Sequence, residues 1–377
     1  MNGAHSLVHT LVAGGVDVCF ANPGTSEMHF VAALDQVPGV RCVLGLQENV
    51  VTGMADGYAR MAGKPAATLL HCGPGLANGL ANLHNARRAR TGIVHIAGDQ
   101  ATTPAQFDAP LQADTDALAR TVSTWVRTSR RSADVGRDAA EAIAMASRLS
   151  GGVATLILPS DASWDEGGVP AQPMPVPASP AIDPLAVECA ARALRENGAR
   201  TLILLGGSAA LELPQALAWS IAQASGAHIL LEGVCARVAR GRGRPPLERV
   251  PYPVPVAVQR LSSYTQIVLV GARPPVGFFA YPGQPSLMAR PDAVFHDIAR
   301  PDQDAVEALA ALAAALKAPD AAIPDPGPRP DVVRGAPTPE GLARTVAAVM
   351  PDGAVIADES VSYGRGFYPG TFAAPPH

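Results

Sequence analysis

Short apolar runs rich in β-branched residues recur along the first part of the chain: VDVCFA at 16–21, VRCVLGL at 40–46, AATLLHC at 66–72, IVHIAG at 93–98 and VATLILP at 153–159. Their length and composition fit strands, and segments of helical character separate them. Strands that alternate with helices pair in parallel through crossovers, which cover both faces of the sheet. This alternation is the strongest constraint in the sequence. It predicts an α/β fold with doubly wound parallel-sheet domains.

The same order returns with TLILLGG at 201–207, a helix over LELPQALAWSIAQASG, then HILLEG and QIVLVG, a second and Rossmann-like α/β domain. Proline-rich stretches from Pro170 to Pro184 and from Pro319 to Pro339 read as extended linkers. The boundaries are therefore a first domain at 1–168, a linker at 169–183, a central domain at 184–317, a linker at 318–337 and a last piece at 338–377. That piece offers one helix capped by Thr338 (PEGLARTVAAVM), one strand (AVIADE) and a tail rich in glycine and aromatic residues. It is too short to bury a core of its own, so the sequence reads as stopping just inside a third domain.

Composition narrows the chemistry. Net charge is -4, which gives no general attraction for nucleic acid or anionic lipid. Lysine occurs only at 64 and 317, neither in a Gly-Lys-Ser/Thr context, so a P-loop is excluded. Cys19, Cys42, Cys72, Cys189 and Cys235 form no Cys-x-x-Cys pair, which argues against a disulfide framework and fits a reducing cytoplasm. No basic residue precedes the first apolar stretch, and no uncharged run approaches the roughly 18 residues that span a bilayer. Neither a secretion signal nor a membrane anchor is expected. His5 and His9 share a helix face without a third ligand in view, so no metal ligand is assigned.

Three strand-to-helix turns carry residues suited to chemistry. The first, NPGTSE, brings Asn22, Pro23, Gly24 and the hydroxyl of Thr25 to the carboxyl edge of a strand. In the second, LQENVVTGMADGYAR, Glu48 stands at a helix start between Leu46 and Val50–Val51; an apolar frame of that kind raises a carboxyl pKa and suits proton relay. The simpler role for Glu48 is a first-turn acid facing the helix dipole. Gly53 and Gly57 on that helix allow close approach of another backbone or subunit. In the third, LLHCGPGLANG, His71 precedes Gly73, Gly75 and Gly79, with Asp99 further on. That spacing approximates a dinucleotide fingerprint, although it follows the third strand and contains Pro74; close packing of helix on sheet explains the glycines as well.

The order NPGTSE, LQENVVTGMADGYAR, KPAATLLHCGPG and NARRARTGIVHIAGDQ resembles the pyrimidine-binding domain of thiamine-diphosphate enzymes acting on 2-oxo acids, in particular acetolactate synthase large subunits and benzoylformate decarboxylases. The resemblance implies a thiamine-diphosphate-binding fold at 1–168 and the start of a diphosphate-binding domain at 338–377. It assigns Glu48 to a hydrogen bond with N1′ of the aminopyrimidine, which favours the tautomer that deprotonates thiazolium C2. Thr25 would then contact the substrate carboxylate and His71 would be an active-site histidine. Asn22, Pro23, Gly24 and Gly73 would line the cofactor, with Ser360 and Ser362 near its diphosphate.

Two departures qualify these implications. Aligning GFFAYPGQ puts Phe279 where benzoylformate decarboxylases carry a second histidine, which favours a small substrate such as pyruvate and carboligation. The Gly-Asp-Gly and Asn-Asn elements that hold Mg²⁺ and diphosphate in the family do not occur in these 377 residues, so those ligands are expected beyond His377. The family further implies a 2-oxo acid substrate and a homodimer or homotetramer. FAD stays open, through a basic loop containing Arg237, Arg240, Arg242, Arg244 and Arg249 that reads more simply as solvated surface. Alternatives are a lyase like benzoylformate decarboxylase, a non-catalytic protein that keeps the pyrimidine half-site, and an NAD-type dehydrogenase.

Overall fold

The computed structural model describes residues 1–360 and 363–377 and divides into two units, Met1–Ser179 and Pro180–His377. The division falls inside the first proline-rich stretch.

The first unit is built on a six-stranded sheet with strand order β2-β1-β3-β4-β6-β5. Its strands are β1 (Val18–Asn22), β2 (Arg41–Leu44), β3 (Ala66–Leu70), β4 (Ile93–Asp99), β5 (Trp125–Thr128) and β6 (Val153–Pro159). Every pairing is parallel, so the carboxyl ends of all six strands share one edge. β3 and β6 are buried along their whole length, as continuous apolar runs covered by helices on both faces must be. β2 lies at the sheet margin and is mostly exposed. Helix α1 (Gly3–Ala13) precedes β1, and α2 (Met28–Gln36), α3 (Glu48–Ala62) and α4 (Cys72–Ala89) follow β1, β2 and β3.

Local sequence sets the ends of these helices. Asn2 caps α1 by accepting from His5 N at 2.9 Å, and Gln47 caps α3 by accepting from Val50 N at 3.1 Å. Gly63 ends α3 at φ +67°, a left-handed conformation that glycine adopts without strain. One face of the sheet packs Leu7, Leu11 and Phe30 of α1 and α2 against Leu69 and Ile96; the other packs Val51, Leu76 and Leu83 of α3 and α4 against Phe20 and Leu70.

The second unit carries a five-stranded sheet, order β11-β10-β7-β8-β9, again wholly parallel. Its strands are β7 (Thr201–Leu205), β8 (His228–Leu231), β9 (Glu248–Arg249), β10 (Gln266–Val270) and β11 (Val294–Ala299). The order reverses at β7, the topological switch of a Rossmann-type sheet. The second proline-rich stretch has no regular structure, yet side chains hold it down: Trp219 Nε1 donates to Ala322 O, and Arg329 Nε donates to Ala347 O.

Two expectations are corrected here. AVIADE at 354–359 forms no strand, and Val355 and Ile356 are exposed. A parallel strand gains its stability from neighbours, and within 338–377 no other described segment offers an edge to pair with. The residues of this piece belong instead to the second unit, where the Tyr368 ring packs under Arg240 at 3.7 Å and Arg249 at 4.4 Å. That stacking corrects the reading as solvated surface for Arg240 and Arg249, while Arg237 and Arg242 are exposed. Arg240 is largely buried, which lowers its pKa to about 10; Arg242 pairs with Asp325, and Arg244 with Glu212. Most of the charge an anionic nucleotide would seek is therefore engaged within the chain.

Candidate active site

Since β2, β1, β3 and β4 are parallel neighbours, the turns that follow them meet along the edge where open α/β sheets bind ligands. Asn22 ends β1, and its Nδ2 donates to Gly45 O at 2.8 Å, stapling the first turn to the loop after β2. Pro23 and Gly24 lead into a short helical turn, Thr25–Glu27. Thr25 is exposed.

Glu27, which the sequence reading passed over, organises the turn. Its carboxylate is buried; Oε2 accepts from Gly24 N at 2.7 Å and lies 2.8 Å from His71 Nδ1. Oε1 is buried with no partner among the described residues. Two glycines make room for this arrangement: a Cβ on Gly24 would sit 2.5 Å from the His71 ring, and one on Gly98 would sit 1.6 Å from Glu27 Oε1. The signal that could have exposed Glu27 is an acid three residues after a helical cap, the capping-box spacing, in a turn otherwise noted for its hydroxyl.

His71 closes β3 as the cap of α4 and is a quarter exposed. A donor bond from Nδ1–H to Glu27 would leave Nε2 as the ring's other proton site. Cys72, the first residue of α4, holds φ at +51°, a conformation costly for a side chain with a Cβ. Its Sγ lies 3.7 Å from His71 Nδ1 and 3.4 Å from Ser26 Oγ. Burial pushes this thiol up to about 11, with the hydroxyl of Ser26 working in the opposite direction. Asp99, at the end of β4, is also raised by burial, against a backbone bond from Gln100.

Glu48 stands in the first turn of α3, where Oε2 accepts from Asn78 Nδ2 at 3.2 Å. The apolar frame expected around it is not formed within the chain: Leu46 is 89% and Val50 51% exposed, and only Val51 is buried. A carboxylate with exposed Leu44, Leu46 and Val50 near it in the sequence fits a flat aromatic ring that brings a protonatable nitrogen and apolar faces, which is the character of an aminopyrimidine. Gly57 likewise has open space where its Cβ would be, whereas Gly53 abuts Asn82.

The glycines after His71 are packing residues. A Cβ on Gly73 would meet Ala113 at 2.2 Å, and one on Gly79 would meet Leu70 at 2.6 Å. With Pro74 inside the first turn of α4 and β3 third in chain order, the dinucleotide reading is set aside. Ser360 is exposed, donating to Asp358, and Ser362 lies outside the described residues. His5 is engaged on both ring nitrogens, by Asn2 and Gln36.

Comparison with known proteins agrees with this fold. A family described as thiamine pyrophosphate enzyme, N-terminal TPP binding domain, matches residues 1–119. A Mycobacterium tuberculosis protein provisionally named acetolactate synthase large subunit IlvX is 50% identical over 378 aligned residues, covering 100% of this chain and 72% of the relative. The chain belongs to the thiamine-pyrophosphate-dependent enzymes. It is of the acetolactate synthase and benzoylformate decarboxylase kind: benzoylformate decarboxylase of Pseudomonas aeruginosa is 33% identical over 46% of this chain and 32% of its own length. The solved structure of a Rhodococcus jostii thiamine diphosphate-dependent 4-hydroxybenzoylformate decarboxylase superposes with a TM-score of 0.82 at 22% identity, over 100% of this chain and 74% of that one, and supports the α/β fold.

For this thiamine-pyrophosphate enzyme, the residues present fit the pyrimidine half of the cofactor at Glu48. The Gly-Asp-Gly and Asn-Asn elements expected to hold Mg²⁺ and the diphosphate do not occur in the sequence, and Ser360, the described one of the two serines expected near the diphosphate, is bonded to Asp358. No helix among the described residues is long and apolar enough to cross a membrane.

Proposed function

We propose that this chain acts on a small 2-oxo acid of the pyruvate type, in thiamine-diphosphate-dependent carboligation or decarboxylation like that named for the acetolactate synthases. The observation that carries the reading is the shared sheet edge, with the Glu48 carboxylate on one turn and the Glu27–His71 pair on the next two. When bound, the cofactor supplies the electron sink for the carbon beside the substrate carboxylate. Glu48 shares a proton with the ring nitrogen. His71, held through Nδ1 by Glu27, moves a proton at Nε2, and the Thr25 hydroxyl donates to the substrate carboxylate. Asn22, Pro23 and Gly24 shape the wall around them.

Phe279 supports an aliphatic substrate. It stands in the sequence where a second histidine would serve, is 59% exposed, and packs edge-to-face on Phe278. A second copy of the chain covering Leu44, Leu46, Val50 and the open side of Gly57 would supply the dry surroundings that one chain leaves unfinished around Glu48. That is the basis for expecting a homodimer or a higher assembly.

A benzoylformate decarboxylase-like lyase is the second reading, favoured by His71 at the end of β3 and by the Pseudomonas relative. Product analysis with Mg²⁺ and thiamine diphosphate separates the two. The expected result is pyruvate turnover with a ligation product, faster than turnover of benzoylformate. Fast benzaldehyde release without ligation would overturn the substrate assignment and leave the cofactor assignment in place.

A further inference from the structure

We propose that Glu27, His71 and Cys72 form a binding site for a thiophilic divalent cation, with Zn²⁺ as its ligand, and that this site restrains the enzyme. One carboxylate oxygen, one ring nitrogen and one sulfur lie within 4.8 Å of one another. In a tetrahedral zinc site, bonds of about 2.3 Å to sulfur and about 2.0–2.1 Å to nitrogen or oxygen put neighbouring donors about 3.3–3.6 Å apart. The separation of Cys72 Sγ and His71 Nδ1 is 3.7 Å, close to that span. His71 Nδ1 and Glu27 Oε2, at 2.8 Å, need to part by only about half an ångström.

The hydrogen bond between Glu27 and His71 accounts for their contact and for nothing more. It leaves Glu27 Oε1 buried without a partner among the described residues and gives no reason for a thiol beside the ring. A cation gives the thiol its role, since a thiolate selects zinc over magnesium, and it engages Oε1 as well where the carboxylate ligates through both oxygens. Supporting contacts are in place: Gly24 N–H donates to the carboxylate at 2.7 Å, and Ser26 Oγ stands 3.4 Å from the sulfur. His71 is a quarter exposed, which gives solvent a route to the fourth position, as in zinc sites with three protein ligands and a water.

Binding has a definite chemical consequence. The ion takes Nδ1, the ring proton moves to Nε2, and the thiol releases one proton to solvent while the carboxylate stays ionised. With Nδ1 ligated, the imidazole can no longer accept a proton at Nε2, so the ion withdraws His71 from proton transfer. The site thus couples zinc availability to turnover.

The test uses the whole chain and Co²⁺ as a spectroscopic probe. Wild type should take up one Co²⁺ with visible tetrahedral bands and a near-ultraviolet thiolate charge-transfer band, and Zn²⁺ should displace it. Cys72→Ser should lose the charge-transfer band. Glu27→Gln should weaken Zn²⁺ binding at least about tenfold, with thermal melts confirming that both variants fold. Cys42→Ser, a change at an exposed thiol elsewhere, should keep the band. Absence of the band in wild type, its persistence in folded Cys72→Ser, or unchanged Zn²⁺ affinity in folded Glu27→Gln would each overturn the proposal.

Discussion

The two parallel sheets end in similar turns, yet they treat an acid at the sheet edge in opposite ways. In the first unit Glu27 is buried beneath the turns, pinned by Gly24 and His71, with one oxygen unmatched. In the second, Glu232 follows β8, is only half buried, and reaches over the glycine turn after β7, where Gly207 N donates to it at 3.2 Å. A Cβ on Gly206 would approach that carboxyl group to 2.7 Å. One acid is enclosed and holds a histidine in place; the other is half buried and accepts from the backbone of a glycine turn. The architecture is shared, and the chemistry lies in what the loops leave unsatisfied.

The contrast is sharpest in a pair of matched substitutions. Gly98→Ala forces a methyl group into the space of Glu27, which cannot move without giving up its bonds to Gly24 and His71. It should cost about 1–3 kcal/mol by urea denaturation. Gly206→Ala meets the end of a half-buried side chain rather than a buried one, and should cost less than about 1 kcal/mol. Equal losses would show that the two acids are held alike.

Acid should also act on the first sheet. His95 is buried in β4 with Nδ1 2.7 Å from Thr68 Oγ1, and burial lowers its pKa from 6.5 to about 3. The folded state therefore keeps the ring neutral while the unfolded chain takes up a proton below about 6.5. The associated stability is intact above that pH and falls by up to about 1.4 kcal/mol per unit as pH drops toward 3. Subtracting the profile of His95→Gln from that of wild type should reveal this slope between pH 6 and 4, and superimposable profiles would refute it. In the second unit, Arg242 and Asp325 are an exposed pair, so Arg242→Ala should shift stability by less than about 1 kcal/mol.

What the sequence made legible follows from how locally each feature is encoded. The strands buried on both faces, β3, β4, β6, β7 and β10, are continuous apolar runs and could be read directly. β5, β9 and β11 mix Trp, Arg, Glu, His and Asp into half-exposed edges, where a neighbouring strand rather than the segment itself decides the conformation. AVIADE shows the reverse: strand-like composition without a partner to pair with. At the site, Glu48, His71 and Thr25 stand on turns that motif order picks out. Glu27 did not stand out, because its importance depends on burial under Gly98, 71 residues further along the chain.

The central claim is that Glu48 exchanges a proton with the cofactor's pyrimidine at the open edge of the first sheet. Deuterium exchange at C2 of thiamine diphosphate, followed by NMR with wild type and Glu48→Gln, tests it most directly. The account predicts that wild type accelerates the exchange and that the variant loses about 10²–10⁴ of that acceleration, with an unchanged melting temperature. Equal acceleration by the two proteins would contradict it.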